Sequence, residues 1–133
     1  MTLNPQFAAL GDESFVSLTT FRKSGEAVST PVWIARDGDD LIVTTPEESG
    51  KVKRLRNSGR VEITPSNRMG KVAEGATPVA GHARIHGDAA SIDRLEKTFS
   101  KKYRLEYRVF MIIEALVAKR KKPRVMLRIT PAE

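Results

Sequence analysis

A short basic segment, SGKVKRLRNSG, carries the side chains of this chain that are best suited to bind an anion. Ser49 can cap a helix that begins here, because a serine hydroxyl accepts hydrogen bonds from N–H groups of the first turn. The first N–H groups of that helix, from Gly50 onward, and the ammonium of Lys51 converge on one point, with Lys53 and Arg54 close by. The pattern predicts a site for a phosphate or carboxylate group.

Three short strands with alternating apolar residues precede this helix, at residues 15–21, 27–35 and 41–45. Asp37-Gly38 predicts a hairpin between the second and the third. Pro31 has no N–H to donate to a ladder, so its part of the strand is an edge, a bulge or a place where a ligand replaces the neighbouring strand. Thr30, Pro31 and Val32 are therefore predicted to face a ligand.

The rest of the chain predicts three more strands and two helices. The strands fall at residues 61–64, 79–86 and 124–130, and residues 65–77 between the first two form a loop long enough to cover a site. Asp88 can cap one helix, and a second helical stretch runs from 105 to about 118. We predict a single domain, residues 1–133, with a mainly β fold: a six-stranded antiparallel barrel with a short helix after the third strand and a helical pair before the last.

Composition limits the chemistry that the protein can perform by itself. The 133 residues include no Cys, which excludes disulfides, thiolate nucleophiles and cysteine-bound metals. His82 and His86 are too few for a convincing zinc site, so no metal is expected. No apolar run is long enough for a membrane helix, and the start MTLNPQF does not resemble a secretion signal, so we expect a cytoplasmic protein without a membrane. The chemistry is expected to belong to a bound cofactor.

The net charge of +7 favours partners that carry phosphate or carboxylate. The basic residues form two separate groups, at 51–60 and 119–124, whereas a nucleic-acid-binding protein more often has one continuous basic face. Nucleic acid is thus the less favoured partner. Two alternatives stay open: the cations of the first group could be a solvated helix face, and Arg68 and Lys71 could either reach an acidic cofactor tail or only solubilise their loop.

The order of these motifs resembles a known family. The segments FVSLTTFRKSGEAVSTPVWIARDGDDLIVTT, SGKVKRLRNSGRVEITPSNRMGK, GHARI and RVMLRITP are similar to the split β-barrel flavin and deazaflavin oxidoreductases, the superfamily that includes pyridoxamine 5′-phosphate oxidase. Within it, the sequence most resembles the branch that uses coenzyme F-420, an 8-hydroxy-5-deazaflavin. The resemblance covers nearly the whole chain.

The resemblance implies where a cofactor binds. A Lys that matches Lys51 holds the cofactor's phosphate at the start of the short helix, with help from positions matching Lys53 and Arg54. Hydroxyl and backbone groups of the second and third strands lie against the ring system, here at Thr30, Pro31, Val32, Thr44 and Thr45. Ser49 and Gly50 complete this set of cofactor-binding positions.

The resemblance also implies an activity. A deazaflavin carries two electrons as hydride, so the protein mainly positions the ring and excludes water, and no catalytic residue is named. The implied enzyme is a homodimer in which a second subunit completes the pocket of an open half-barrel, and it transfers a hydride between coenzyme F-420 and a small organic acceptor. An FMN-dependent oxidase or reductase on the same fold is one alternative. A non-catalytic module that binds a cofactor or a nucleic acid is another.

Overall fold

The computed structural model describes residues 5–104, 109, 112 and 123–132; residues 5–104 and 123–132 contain six strands and three helices. The strands are β1 (Phe15–Phe21), β2 (Ala27–Asp37), β3 (Asp40–Pro46), β4 (Arg60–Pro65), β5 (Val79–His86) and β6 (Arg124–Pro131). The helices are α1 (Pro5–Leu10), α2 (Gly50–Asn57) and α3 (Ala89–Tyr103). Among the described residues, no helix combines the length and the apolar character needed to cross a membrane.

The six strands close into one antiparallel barrel in the order β1-β2-β3-β6-β5-β4. The predicted six-stranded antiparallel barrel is confirmed. The expected open half-barrel is wrong, because β1 is paired along both of its edges: Val16 lies opposite Val32 of β2 and opposite Pro65 of β4. The other five strands also pair on both sides over at least part of their length, so the sheet is continuous around the ring.

Alternate residues of the strands fill the barrel, as the period of two predicts. On β1, Val16 and Leu18 point inward and are completely buried. A second, smaller cluster lies outside the barrel, where Leu95, Phe99 and Tyr103 of α3 cover β2, β3 and β6. The predicted cap of this helix is confirmed, since the Asp88 carboxylate accepts a hydrogen bond from the N–H of Ser91.

The second predicted helical stretch, 105–118, lies outside the described residues except for Val109 and Ile112, which are helical. The basic residues 119–122 lie outside them as well. Helix α1 was not expected from the sequence. It buries Phe7 and Leu10 in the barrel cluster and so contributes to the core.

Strands β2 and β3 separate along part of their length. Their ladder runs only from Asp37 opposite Asp40 to Ile34 opposite Val43. Beyond that point residues 27–33 of β2 pair with β1 alone, and residues 44–46 of β3 pair with β6 alone. We call the unpaired space between these two segments the β2–β3 gap. Of the three alternatives predicted for Pro31, the structure shows a strand edge on the side of β3.

The end of α3 holds β2 at the residue where the gap begins. The Lys102 ammonium donates hydrogen bonds to the carbonyls of Gly11, Glu13 and Ile34, at 2.7, 2.6 and 2.6 Å. The Tyr103 hydroxyl accepts from the N–H of Ile34 at 3.2 Å and lies 2.7 Å from its carbonyl oxygen. These contacts, which we call the Lys102–Tyr103 clasp, tie α3, the segment after α1 and β2 together.

Gly59 follows the end of α2. The helix ends at Asn57, and Ser58 caps it in an extended conformation. A Cβ at Gly59 would lie 2.9 Å from the carbonyl oxygen of Ala83 and 2.5 Å from Nε2 of His82. Glycine is needed here because the backbone passes close to β5.

Candidate functional site

The start of α2 has the geometry that the sequence predicts. Ser49 precedes the helix in an extended conformation, and its hydroxyl accepts a hydrogen bond from the N–H of Val52 at 3.4 Å. The hydroxyl of Thr45, at the end of β3, lies 3.2 Å from the Ser49 hydroxyl. Val52 and Leu55 are buried in the barrel cluster and fix the orientation of the helix. The first N–H groups of α2 therefore have a fixed position beside the end of β3.

Arg54 lies across the start of this helix. Its Nε donates a 2.6 Å hydrogen bond to the hydroxyl of Thr20 on β1. A Cβ at Gly50 would lie only 2.8 Å from Nη1 of Arg54, so the guanidinium covers the space that a larger residue would need. Arg54 and Lys51 are both half-buried, and neither donates a hydrogen bond from Nη or Nζ to the described part of the chain.

The electrostatics of this group favour an anion. Burial lowers the pKa of Lys51, and the positive charges of Arg54 and Arg124 lower it further. Burial also lowers the pKa of Arg54, with a smaller effect from Arg22. Like charges that are gathered and half-desolvated destabilise one another, and a bound anion would relieve this repulsion. We call Ser49, Gly50, Lys51 and Arg54 the anion cradle.

Arg124 brings the far end of the chain to the cradle. It is the first residue of β6, opposite Pro46 of β3, and its Nε donates a 2.9 Å hydrogen bond to the hydroxyl of Thr44. The sequence analysis did not select Arg124 as a site residue, because it lies 73 positions beyond Lys51. Only the pairing of β3 with β6 brings the two cations within electrostatic range.

The β2 residues that were predicted to bind the ligand lie along the β2–β3 gap. Val32 belongs to the barrel cluster, whereas Pro31 is exposed. The Thr30 hydroxyl oxygen is buried and has no hydrogen-bond partner among the described residues. A buried hydroxyl that lacks a partner costs free energy, so a ligand group that reaches this oxygen would stabilise the arrangement.

The loop after β4 covers one side of this region, as predicted. The Asn67 side chain accepts hydrogen bonds from the N–H groups of Met69 and Lys71, which holds the loop in a tight turn. A Cβ at Gly70 would meet the Pro31 ring at 3.2 Å, so the turn rests on Pro31. The Arg68 guanidinium lies 6.0 Å from the centre of the Phe15 ring. Arg68 is thus beside the outer face of β1, and its contact with a cofactor tail stays a prediction, as does that of Lys71.

The structure brings most of the predicted residues together around one end of the β2–β3 gap. Thr44, Thr45, Ser49, Gly50, Lys51 and Arg54 are joined by direct contacts or by mutual electrostatic effects. Thr30, Pro31 and Val32 lie along β2, on the other side of the gap. Lys53 is exposed, and its side chain makes no hydrogen bond or ion pair with a described residue. Thr20 and Arg124 were missed. For Thr20 a signal existed, because a threonine at an inward position of a strand must find a hydrogen-bond partner.

A cavity and the acidic side chains elsewhere in the described part of the chain are distinct from this site. A cavity of about 670 Å³ lies between α1, the end of the loop before β5 and the end of β6, and none of the predicted residues lines it. Its walls include Gln6, Glu13, Thr77 and Val79. Within the described ranges, no three His, Asp or Glu side chains are grouped so that they could hold a metal ion.

Comparisons with known proteins were informative for solved structures and for family models. No curated protein matches the chain. Among solved structures, a conserved hypothetical protein from Mycobacterium tuberculosis superposes with a TM-score of 0.69 at 20% identity, covering 100% of this chain and 82% of that one. An F-420 reductase superposes with a TM-score of 0.61 at 17% identity, covering 96% of this chain and 94% of that one. The heme storage protein HutZ from Vibrio cholerae superposes with a TM-score of 0.67 at 13% identity, covering 100% of this chain and 92% of that one.

At these identities the structural matches establish the fold alone, and the functions of the matched proteins differ. The sequence adds a stronger finding, because the family model described as pyridoxamine 5′-phosphate oxidase matches residues 3–133. That span contains all six strands and every residue of the anion cradle. The chain therefore belongs to the pyridoxamine 5′-phosphate oxidase family, on a split β-barrel fold.

Proposed function

We propose that this protein is an oxidoreductase that binds coenzyme F-420 and transfers a hydride between this cofactor and a small organic acceptor. One observation carries the proposal. Lys51 and Arg54 are half-buried at the start of α2, next to the unpaired β2–β3 gap, and their terminal nitrogens have no acceptor among the described residues. Two such cations favour an anion that the chain itself does not supply there.

The residues present fit a cofactor with a flat ring and a phosphate. The anion cradle would hold the phosphate through the N–H groups of α2, the Lys51 ammonium and the Arg54 guanidinium. Thr30, Pro31 and Val32 on one side of the gap, and Thr44 and Thr45 on the other, would position the ring. The buried Thr30 hydroxyl offers it a hydrogen bond that no described residue uses.

The cofactor supplies the hydride chemistry when it is bound, and the protein's task is to orient it and to exclude water. The turn at Gly70 contributes by covering Pro31 and thereby one side of the gap. The Lys102–Tyr103 clasp contributes by fixing Ile34, where the gap begins. No side chain is assigned a proton-transfer role: the hydride would pass directly to the acceptor, and a water molecule would supply the proton that the acceptor then takes up.

Support for coenzyme F-420 comes from the sequence resemblance and from the F-420 reductase among the structural neighbours. FMN is the second candidate, since the family model is that of pyridoxamine 5′-phosphate oxidase and the cradle would suit the phosphate of either cofactor. A module that only binds its ligand is the third, because a heme storage protein shares the fold.

We further propose that the enzyme is a cytoplasmic homodimer whose second subunit completes the pocket, and that nucleic acid is not its partner. Light scattering of the purified protein tests the dimer, and a mass of one chain would contradict it. Titration with a DNA duplex tests the second point. Affinity that persists near physiological salt would favour the nucleic-acid alternative, because electrostatic binding weakens steeply with salt.

The cofactor assignment is tested by titrating the protein with coenzyme F-420 and with FMN while the fluorescence of each ligand is followed. We expect F-420 to bind more tightly. Lys51→Ala should weaken that binding by about 1 to 3 kcal/mol, because it removes a charge-assisted contact with the phosphate. Lys101→Ala is the matched control, since Lys101 is an exposed lysine of α3.

Three outcomes would be decisive against parts of this proposal. Tight binding of FMN without a response to F-420 would replace the first candidate by the second. Unchanged affinity of the Lys51→Ala variant would place the phosphate elsewhere. Binding of F-420 without reduction of any quinone or enone acceptor by the reduced form would favour a binding protein over an enzyme.

A further inference from the structure

Among the described residues, only Thr20 forms a hydrogen bond with the Arg54 guanidinium. It is the second-last residue of β1 and is completely buried, on the same inward-facing side as Val16 and Leu18. Its hydroxyl accepts from Nε of Arg54 at 2.6 Å, which is short for a bond between a nitrogen and a neutral oxygen. The bond joins the interior of the barrel to the mouth of the β2–β3 gap.

We propose that Thr20 is a positioning residue for the phosphate of the cofactor: it holds Arg54 so that both Nη nitrogens of the guanidinium face the start of α2. The inference rests on the proposed function and adds to it a residue that makes no contact with the ligand itself. It also specifies how the phosphate is held, by the two Nη groups together with the helix N–H groups.

Geometry explains why one bond at Nε has this effect. The guanidinium is planar, so fixing Nε and packing Nη1 over Gly50 leaves the Nη1–Nη2 edge as the part that is able to bind. That edge matches two oxygens of one phosphate. A long arginine side chain without this anchor would have to be ordered when the ligand binds, and ordering it would lower the affinity.

Gly50 is part of the same arrangement. With 2.8 Å between a Cβ at this position and Nη1, any larger residue would displace the guanidinium from the helix start. Arg22 lies on the other side, near enough for its charge to lower the pKa of Arg54, although Arg22 is itself paired with Glu26 at 3.3 Å. The anchor to Thr20 keeps Arg54 in place despite this repulsion.

The test compares ligands with and without phosphate. Thr20→Val keeps the shape of the side chain and removes the acceptor. We expect it to weaken the binding of F-420 or FMN about fivefold to tenfold, while the matching phosphate-free ligand, the deazariboflavin or riboflavin, binds as before. Thr20→Ser should restore the affinity to within about twofold, since the hydroxyl returns.

Thr19→Val is the matched control. Thr19 is the next residue on the same strand and faces the other side, where its hydroxyl lies 2.7 Å from that of Ser29. The Thr19→Val variant should bind all of these ligands as tightly as the wild type does. If Thr20→Val fails to fold, Thr20→Ala takes its place: it also removes the acceptor of Arg54 Nε, and the same selective loss is expected.

Failure of this inference is distinguishable from failure of the proposed function. If the wild type binds a phosphorylated cofactor and Thr20→Val binds it equally well, or loses the phosphate-free ligand to the same extent, the positioning role is refuted and the function stands. If the wild type binds neither F-420 nor FMN, the proposed function is refuted. In that case the inference is tested by the rise in melting temperature that inorganic phosphate gives the wild type. The inference requires a smaller rise in the Thr20→Val variant.

Discussion

Replacing Lys102 by methionine should destabilise the protein strongly, because Lys102 is the centre of the Lys102–Tyr103 clasp. Methionine has a similar length and is apolar, so it keeps most of the packing and removes the ammonium. Three carbonyls then lose a donor, those of Gly11, Glu13 and Ile34. The variant isolates the contribution of these hydrogen bonds.

The expected loss of stability depends on which hydrogen-bond donors each carbonyl retains in the variant. The carbonyl of Ile34 keeps the Tyr103 hydroxyl at 2.7 Å, whose single proton it shares with the Ser14 carbonyl at 2.7 Å, so its loss is smaller than that of the other two. The carbonyls of Gly11 and Glu13 lose a charge-assisted bond in a part-buried setting, at about 1.5 to 3 kcal/mol each before water compensates. Because burial lowers the pKa of Lys102 to about 8, holding the ammonium there has a cost that offsets part of this gain. We expect a net loss of about 2 to 3 kcal/mol.

The assay is urea unfolding at neutral pH, followed by circular dichroism. The midpoint should fall while the slope stays constant, since the area exposed on unfolding does not change. Lys101→Met is the control, because Lys101 is exposed. A Lys102→Met variant within about 0.5 kcal/mol of the wild type, the range of ordinary surface substitutions, would refute the structural role of the clasp.

Three further predictions concern other parts of the fold. Hydrogen bonding to Arg94 lowers the pKa of Asp37 below 3.8, so the ionised Asp37 stabilises the fold above that pH. The difference in melting temperature between the wild type and Asp37→Asn should shrink as the pH falls through the folded-state pKa, and a constant difference down to acid pH would contradict this. Gly59→Ala should lose about 1 to 3 kcal/mol in urea unfolding because its Cβ would lie 2.9 Å from the Ala83 carbonyl, and a fully stable variant would show that the strands can separate at no cost. Phe99→Ala should lose about 3 to 5 kcal/mol by emptying the cluster under α3, whereas a loss below 1 kcal/mol would mean that α3 contributes little to folding.

Local patterns in the sequence were sufficient for most of the secondary structure. The alternation of Val16, Leu18 and Thr20 fixes which face of β1 is buried, because side chains of a strand alternate between its faces. Ser49 and Asp88 mark helix starts, since their side chains bond to N–H groups within the next three residues. Helix α1 was missed because its six residues are too few to show a clear period.

The composition of the anion cradle was also readable from the sequence, because Ser49, Gly50, Lys51 and Arg54 are close neighbours in the chain. Their local order predicts a helix start with cations near it. The family resemblance implied a role for Lys53 as well, which the fold leaves exposed and without a described partner. Spacing along a helix places a side chain on a face, but only the packing of Val52 and Leu55 decides which face meets the barrel.

Tertiary structure alone decided two features of the site. Closure of the barrel brings Arg124 to the end of β3, and the packing of α2 on β1 joins Arg54 to Thr20. These contacts join residues 80 and 34 positions apart, so no local pattern determines them. The gap beside Thr30 lies within a hairpin, where Pro31 already indicated a possible edge, but only the structure shows where the ladder stops. The sequence by itself determined that this chain has a helix start with cations near it after three strands. The fold determined which side chains surround that helix start, because the strand pairing sets distances that sequence spacing cannot.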